Sequence, residues 1–229
     1  MPNAKVIKQL DVTITDQFLD FKLDGLMMLP ENPIGFVLFA HGSGSSKSSP
    51  RNIQVAKTLA EGGIATLLFD LLTPVESNDR KNVFNIAMLS ERLIIATRWI
   101  KMQSFFQQNK IGFFGASTGA AAAFLAGARL GNGVAGIVSR GGRPDLVPNY
   151  QLSHVVAPAL LIVGEQDEYV LDWNRNATPL IHRSKLLVIP GATHLFEEPG
   201  ALEKVAEASK QFFIRCFKEK ELERMTNLQ

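Results

Sequence analysis

The chain has 229 residues, of which 46% are hydrophobic and 20% are charged, and its formal net charge is +2. The near-neutral charge excludes a general attraction to nucleic acid or to anionic membranes, and the single cysteine, Cys216, excludes an intramolecular disulfide. The N-terminus lacks the apolar run of a signal peptide. The longest candidate apolar run, Ala120 to Ala128, is far shorter than the roughly 20 residues that span a bilayer. We therefore expect a soluble, cytoplasmic protein with neither nucleic acid nor membrane as a partner.

The first 30 residues predict two strands, because polar and apolar residues alternate over 6–14 and 18–29. Such alternation is typical of half-exposed antiparallel edge strands, and we expect a turn near Asp16-Gln17. Apolar runs without alternation follow, which is the pattern of strands buried on both faces. These runs are Ile34–Ala40, Ile64–Phe69, Ile111–Phe114, Val134–Val138, Ala159–Val163 and Lys185–Ile189.

Helix-like segments separate the apolar runs and follow the last one. They are Asn52–Glu61, Phe84–Ile100, Thr118–Leu130 and Ala201–Lys220. This alternation predicts an α/β fold with a mostly parallel central sheet of about eight strands and helices on both faces. No linker rich in Pro, Gly or Ser divides the chain after Pro50, so we expect a single domain over residues 1–229. In such sheets ligands bind beyond the carboxyl ends of the strands.

A sharp strand-to-helix turn is predicted at residues 115–119, where Gly-Ala-Ser-Thr-Gly fits the pattern G-x-S-x-G. The glycines leave room for crowded backbone, and the turn presents the Ser117 hydroxyl at the top of the sheet. Unpaired N–H groups at the start of the next helix face any negative charge that develops there. The pentapeptide alone is equally compatible with a tight turn and a capping serine. Its context between a strand and a helix favours a nucleophile.

A nucleophilic serine needs a base, and the base needs a carboxylate that orients it. Asp167 and His194 each lie just past the carboxyl end of a predicted strand, on the same sheet edge as Ser117. The chain order Ser, Asp, His is the order found in α/β-hydrolases. We therefore predict these three residues as the catalytic group.

Both partners of Ser117 have competitors in the sequence. Asp145, after the strand Val134–Val138, stays in reserve as the orienting acid. Other carboxylates near Asp167 are those of Glu165, Glu168 and Asp172. The remaining histidines are His41, His154 and His182, of which the last two are poorly placed to act as the base.

The loop His41-Gly42-Ser43-Gly44, directly after the strand Ile34–Ala40, predicts an oxyanion hole. A glycine-flanked loop there can aim the backbone N–H of Ser43 at the reacting oxygen, and the N–H of Thr118 is the second expected donor. In this interpretation His41 packs under the loop and takes no proton.

The same loop, residues 42–48, also suggests a nucleotide- or phosphate-binding module, because Gly, Ser and Lys47 lie between a strand and a helix. A phosphate-binding loop needs glycine at both ends of G-x-x-x-x-G directly before its lysine. Ser46 and His41 stand at those positions. The phosphate-binding module is therefore the less favoured alternative.

Arg140 and Arg143 follow the predicted strand Val134–Val138 near the site and are candidates for binding a substrate carboxylate or phosphate. Ordinary surface or interior ion pairs explain them equally well. The connection over 139–158 is too short for a helical lid domain, so we expect an open site suited to small, soluble esters.

These segments resemble the α/β-hydrolase superfamily, and specifically its small dienelactone-hydrolase-like branch, over nearly the whole chain. The motifs that carry the resemblance are HGSG at 41–44, GASTG at 115–119, GEQD at 164–167 and GATH at 191–194. Residues 139–146 also resemble hydrolase domains that are fused to phosphoribosyltransferases in bacteria, and we expect no such partner domain in these 229 residues.

One departure from the branch concerns the nucleophile. Dienelactone hydrolases proper use a cysteine, whereas Ser117 stands at the turn here and Cys216 lies in the last predicted helix. The resemblance therefore implies the fold and ester-hydrolase chemistry, without the dienelactone substrate.

The residues and the resemblance together predict a serine hydrolase that cleaves small carboxylic esters through an acyl-enzyme and needs no metal or organic cofactor. Ser117 is the expected nucleophile, His194 the base and then the acid, and Asp167 the orienting acid. A protein that keeps the fold for acyl transfer or for binding is the alternative. The natural substrate and the oligomeric state stay open at this stage.

Overall fold

A computed structural model of the chain describes residues 7–16, 21–107 and 109–226. The described strands are β1 (Ile7–Thr15), β2 (Lys22–Pro30), β3 (Phe36–Ala40), β4 (Ala65–Phe69), β5 (Ile111–Ala116), β6 (Gly136–Arg140), β7 (Ala159–Gly164) and β8 (Ser184–Ile189). They form one sheet in the order β1-β2-β4-β3-β5-β6-β7-β8. β2 pairs antiparallel with β1 and with β4, and all other neighbouring strands are parallel.

Helices cover both faces of this sheet, as the sequence predicts. The helices are α1 (Pro50–Glu61), α2 (Pro74–Ser77), α3 (Ile86–Lys101), α4 (Thr118–Leu130), α5 (Asn149–Leu152), α6 (Glu168–Ala177) and α7 (Ala201–Thr226). α3 and α4 pack together on one face, and α1 and α7 pack together on the other.

The central strands are buried on both faces, since neighbouring residues point into opposite cores. Phe113 of β5 belongs to the core under α3 and α4, whereas Phe114 belongs to the core under α1 and α7. Every residue of β3, β4, β5, β6 and β7 is buried. This double burial explains the apolar runs without alternation in the sequence.

The expectation of two edge strands at the start of the chain is right for β1 and wrong for β2. The segment Gly25–Met28 of β2 pairs with β4, so β2 lies inside the sheet. Its alternation reflects only its first half, where Lys22 and Asp24 are exposed, while Met27 and Met28 are buried. Gln17, in the predicted turn, lies outside the described residues.

The predicted run Val134–Val138 is shifted by two residues in the structure. Pairing with β5 matches Ala116 to Arg140, so Arg140 is the last residue of β6 and does not lie beyond the strand. The next connection, residues 141–158, holds only a single turn of 3-10 helix and α5. The fold therefore has no large lid domain, in agreement with the sequence prediction. In the part of the chain that is described, no helix is both long and apolar enough to cross a membrane.

Candidate active site

Ser117 occupies the turn between β5 and α4 with φ 51° and ψ −122°. A positive φ is uncommon for a residue that has a side chain. A Cβ on Gly119 would lie 2.1 Å from the carbonyl oxygen of Ala40, and a Cβ on Gly115 would lie 2.4 Å from Cα of Ala120. The close backbone approach therefore requires both glycines of the motif, and the turn places Ser117 at the carboxyl edge of the sheet.

The Asp167 carboxylate and the His194 imidazole are in hydrogen-bond contact, with His194 Nδ1 2.5 Å from Asp167 Oδ2. The Asp167 side chain is 15% exposed and that of His194 is 39% exposed. An ionised carboxylate only accepts hydrogen bonds, so Nδ1 carries the proton and donates it. Nε2 is then left as the basic nitrogen, which is the tautomer that a base for a serine needs.

The two loops that carry this pair are joined along their backbones. The Gln166 N–H donates to the Ala192 carbonyl oxygen at 2.9 Å, and the Gly191 N–H donates to the Glu165 carboxylate at 2.8 Å. A Cβ on Gly164 would lie 2.3 Å from the Ala192 carbonyl oxygen. The loop after β7 and the loop after β8 are therefore held in a fixed relation.

Ser117 and His194 are brought to the same stretch of backbone at the end of β6. The Ser117 N–H donates to the Arg140 carbonyl oxygen at 3.1 Å. The next residue, Gly141, has φ 51°, and a Cβ there would lie 3.2 Å from Nδ1 and Cε1 of His194. No hydrogen bond joins Ser117 Oγ to His194 within the described residues. Such catalytic contacts are often long in unliganded sites and tighten when substrate binds.

His41 supports the loop that follows β3. The Leu71 N–H donates to His41 Nε2 at 3.1 Å, and His41 Nδ1 lies 3.0 Å from the Gly42 carbonyl oxygen. Because Nε2 accepts, Nδ1 must donate, and the ring is neutral. Burial lowers the pKa of His41 below its ordinary value of 6.5. These contacts agree with a structural role for His41 under the loop.

The two expected oxyanion donors, Ser43 and Thr118, line one cleft. The loop before Ser43 runs alongside Ser117, since a Cβ on Gly42 would lie 3.0 Å from Cβ of Ser117. Thr118 is the first residue of α4, where the helix dipole is positive. Neither backbone N–H has a hydrogen-bond acceptor within the ranges that the structure describes. Both donors are therefore available to a reacting oxygen.

Lys47, the lysine of the phosphate-loop interpretation, is held by carboxylates. Its N–H donates to Asp70 Oδ1 at 2.8 Å, and its Nζ lies 3.7 Å from Asp70 and 3.6 Å from Asp24. Asp70 directly follows β4, so these contacts tie the loop after β3 to the neighbouring strand. The charge of Lys47 is already balanced, which speaks against a phosphate cradle at residues 42–48.

Arg143 and Asp145 form a two-pronged ion pair at 2.8 and 2.7 Å. The guanidinium of Arg143 also lies over the Trp173 ring, 4.2 Å from its centroid. The hydrogen bond to Asp145 raises the pKa of Arg143. The Asp145 carboxylate thus contacts Arg143, whereas the carboxylate at His194 is that of Asp167. Arg140 is different, because it is buried without such a partner.

The cleft that Ser43 and Thr118 line has a volume of about 370 Å³. The apolar side chains in its wall are those of Leu23, Leu71, Leu72, Pro74, Val83 and Leu89. Lys22, Asp24 and Asp70 give it a polar part. A cleft of this size takes a small organic molecule. No group of three or more His, Cys, Asp or Glu side chains among the described residues is arranged to hold a metal ion.

Several contacts that hold the site were not found from the sequence. The ion pair between Arg51 and Glu197 joins residues 146 positions apart. Glu198 accepts a hydrogen bond from Thr193 Oγ1 at 2.6 Å, beside His194. Charged residues near a motif give no local signal of which partner they take, so only the three-dimensional fold reveals these pairs.

A family model for an alpha/beta hydrolase domain matches residues 34–216 of the chain. The chain therefore belongs to the α/β-hydrolase family, with a dienelactone-hydrolase-like fold. In particular, it is similar to the crystal structure of dienelactone hydrolase from Anabaena variabilis ATCC 29413. The two share 44% sequence identity with a TM-score of 0.87, over 91% of this chain and 98% of that one.

Two further similarities differ in what they cover. Est1E from Butyrivibrio proteoclasticus has the same fold at 19% identity, with a TM-score of 0.76 over 90% of this chain and 98% of that one. Proteins from two strains of Mycobacterium tuberculosis, provisionally named phosphoribosyl transferases, are 53% identical over 191 residues. That match covers 83% of this chain and 43% of each relative, so the chain spans less than half the length of these relatives.

Proposed function

We propose that the chain is a serine hydrolase that cleaves small carboxylic esters through an acyl-enzyme at Ser117. The observation that carries the proposal is the hydrogen bond between Asp167 and His194. The His194 ring lies beside Gly141, next to the Arg140 carbonyl that accepts the Ser117 N–H. Membership of the α/β-hydrolase family supports hydrolase chemistry at this site.

In the proposed reaction, His194 Nε2 takes the proton of Ser117 as the hydroxyl oxygen attacks the ester carbonyl. The N–H groups of Ser43 and Thr118 stabilise the negative charge on the carbonyl oxygen. His194 then protonates the departing alcohol. Water, activated by the same imidazole, releases the acid and restores Ser117. Asp167 keeps the imidazole in the required tautomer throughout.

The proposed substrates are small because the cleft beside the oxyanion donors has a volume of about 370 Å³ and the connection over 141–158 carries no lid domain. Hydrolysis and acyl transfer share the acyl-enzyme, so transfer to an alcohol or amine is the alternative at the same residues. We do not extend phosphoribosyl transfer to this chain, since it covers only 43% of the relatives that carry this name.

The test compares hydrolysis of p-nitrophenyl butyrate and p-nitrophenyl dodecanoate by the wild type and by the variants Ser117→Ala and His194→Ala. Ser153→Ala is the matched control, because Ser153 is exposed at the end of α5. We expect the wild type to prefer butyrate. Each site variant should lose at least about 10³-fold in kcat/KM, with no such loss in the control.

Activity that survives in Ser117→Ala would remove this serine from the mechanism. Equal turnover of both esters by the wild type would leave the nucleophile in place and overturn the assignment of small substrates.

A further inference from the structure

Arg140 is a buried cation at the edge of the candidate site. The residue is 8% exposed, and its Nη1 is fully buried without a hydrogen-bond partner in the described part of the chain. Val138, two positions earlier on β6, faces the core under α1 and α7. Side chains two residues apart on a strand share a face, so Arg140 points towards α1 and α7.

A second guanidinium lies near it on α1. Arg51 Nη1 pairs with Glu197 at 3.1 Å, but Arg51 Nε is buried and has no partner in the described ranges. Burial and then the positive charge of Arg51 lower the pKa of Arg140 to about 10, so Arg140 is charged at neutral pH. Arg51 lies in the first turn of α1, where the helix dipole adds further positive potential.

Within the described part of the chain, the Arg140 guanidinium lacks a balancing negative charge. Among the described residues Glu197 pairs with Arg51. Glu198 accepts from Thr193 through Oε1, while its Oε2 is buried without a hydrogen-bond partner in those ranges. Among the described residues no carboxylate lies within ion-pair distance of Arg140. A buried charge without a partner is strongly unfavourable, and two adjacent like charges add to that penalty. The structure therefore favours an anion from outside the chain.

The subsite borders the reacting groups. The carbonyl oxygen of Arg140 accepts the Ser117 N–H, and Gly141 packs against the His194 ring. Glu197, the partner of Arg51, lies three residues after His194 in the same loop. Arg143 is not part of this subsite, because Asp145 accepts from both its Nε and its Nη2. Arg51 gives only Nη1 to Glu197, and its buried Nε has no partner in the described ranges.

We propose that Arg140 and Arg51 bind an oxyanionic group, a carboxylate or a phosphate, that the substrate ester carries. The planar guanidinium forks match either group with paired hydrogen bonds. That the bound molecule is an ester rests on the proposed hydrolysis. Binding of the anionic group by Arg140 and Arg51 does not depend on that proposal. The preferred substrate is then an acidic ester.

The kinetic test compares two esters of similar length, neutral p-nitrophenyl butyrate and anionic p-nitrophenyl hemisuccinate. The variants are Arg140→Gln, Arg140→Lys and Arg51→Gln, of which the last alters a side chain that is one third exposed (33%) and so leaves the core intact. Arg98→Gln is the matched control, since the Arg98 side chain is 58% exposed on α3.

We expect Arg140→Gln to lower kcat/KM for the hemisuccinate by about 10- to 100-fold, the effect of losing a charged hydrogen bond. Its kcat/KM for the butyrate should fall by a smaller factor, because that ester carries no anionic group. Arg140→Lys should recover part of the loss, and Arg98→Gln should behave as the wild type. An equal fall for both esters in Arg140→Gln would overturn the subsite.

The binding test does not depend on turnover and uses the unfolding temperature in acetate and, separately, in inorganic phosphate. We expect one of the two anions to raise the unfolding temperature of the wild type by about 2–5 °C, and Arg140→Gln to lose this rise. The anion that acts identifies the oxyanion as carboxylate or phosphate.

Outcomes of the binding test separate the subsite from the proposed hydrolysis. In one outcome the anion raises the unfolding temperature only when Arg140 is present, and yet the protein hydrolyses no ester. That result supports the anion site and contradicts only the proposed hydrolysis. The opposite outcome has two parts: the wild type shows no response to either anion, and Arg140→Gln unfolds at a lower temperature than the wild type. Arg140 then has a structural role, and the subsite is overturned.

Discussion

At His194, the orientation of one imidazole depends on a single carboxylate contact, that of Asp167 at 2.5 Å. Asp167 is the residue directly before α6, and its side chain makes no capping hydrogen bond to that helix. Its carboxylate therefore serves His194 alone among the described residues. From the sequence, Asp167 was the favoured orienting acid and Asp145 stayed in reserve. A test of this role therefore compares variants of both residues.

Replacing the carboxylate by an amide should disturb the tautomer of His194 without changing the fold. We expect Asp167→Asn to lower kcat for a short ester by about 10²–10⁴-fold with little change in KM. Asp145→Asn is the control, because Asp145 contacts Arg143. Steady-state kinetics of both variants give the answer. A large loss in Asp145→Asn with normal activity in Asp167→Asn would exchange the two roles.

The lowered pKa of His41 makes the free energy of unfolding depend on pH. Burial lowers its pKa in the folded chain below 6.5, so between 6.5 and that lowered value the unfolded chain binds a proton that the folded chain does not. The free energy of unfolding contributed by His41 therefore falls as the pH drops below 6.5, by up to about 1.4 kcal/mol per pH unit.

The variant His41→Gln should remove this part of the pH dependence, as measured by urea unfolding between about pH 7 and about pH 5. His182→Gln is the control, since His182 is exposed. We expect the control to keep the wild-type slope. Parallel curves for the wild type and His41→Gln would contradict a neutral, half-buried His41.

At the level of elements, the turn between β5 and α4 depends on glycines that allow backbone contact. The first turn of α4 lies against the end of β3, and a Cβ on Gly119 would meet the backbone oxygens of Ala40 and His41 at 2.1 and 2.5 Å. Backbone atoms cannot move aside as a flexible side chain can. The helix must shift, and Ser117 and Thr118 shift with it.

Gly119→Ala should therefore lower the free energy of unfolding by about 1–3 kcal/mol and reduce esterase activity. Gly133→Ala is the matched control, because its nearest neighbour would be Leu130 Cβ at 3.8 Å. That control should change stability little or raise it by up to about 1 kcal/mol. Urea unfolding measures both. A neutral Gly119→Ala would show that the close approach at this turn is not required.

The elements themselves were largely predictable from the sequence, because burial on both faces leaves a clear pattern. Helix α4 begins and ends at the predicted Thr118 and Leu130, and β7 extends the predicted Ala159–Val163 by one residue. The interior position of β2 was not predictable, since pairing with a distant strand leaves no local pattern. Helix α6 was not predicted either. Five of its ten residues are polar or charged, and Asp167 before it makes no capping hydrogen bond.

At the level of the whole molecule, the parallel order of β3, β5, β7 and β8 brings the ends of four strands to one edge. Those ends carry the loop after β3, Ser117, Asp167 and His194. Their convergence follows from the topology, so their placement at one sheet edge was predictable from motifs at strand ends, and their catalytic roles stay a prediction. The proximity of the partly exposed Arg51 to the buried Arg140 was not predictable, because α1 and β6 lie far apart in the sequence.

The most direct measurement for the central claim is labelling of the folded protein with a fluorophosphonate, followed by peptide mass mapping. Such a probe reacts with a serine that has a working base and oxyanion hole. Cleavage after Lys110 and Arg129 gives the peptide 111–129, in which Ser117 is the sole serine. We expect one adduct on this peptide in the wild type, and none in Ser117→Ala or His194→Ala. An unlabelled wild type, an adduct on another peptide or undiminished labelling in His194→Ala would contradict the account.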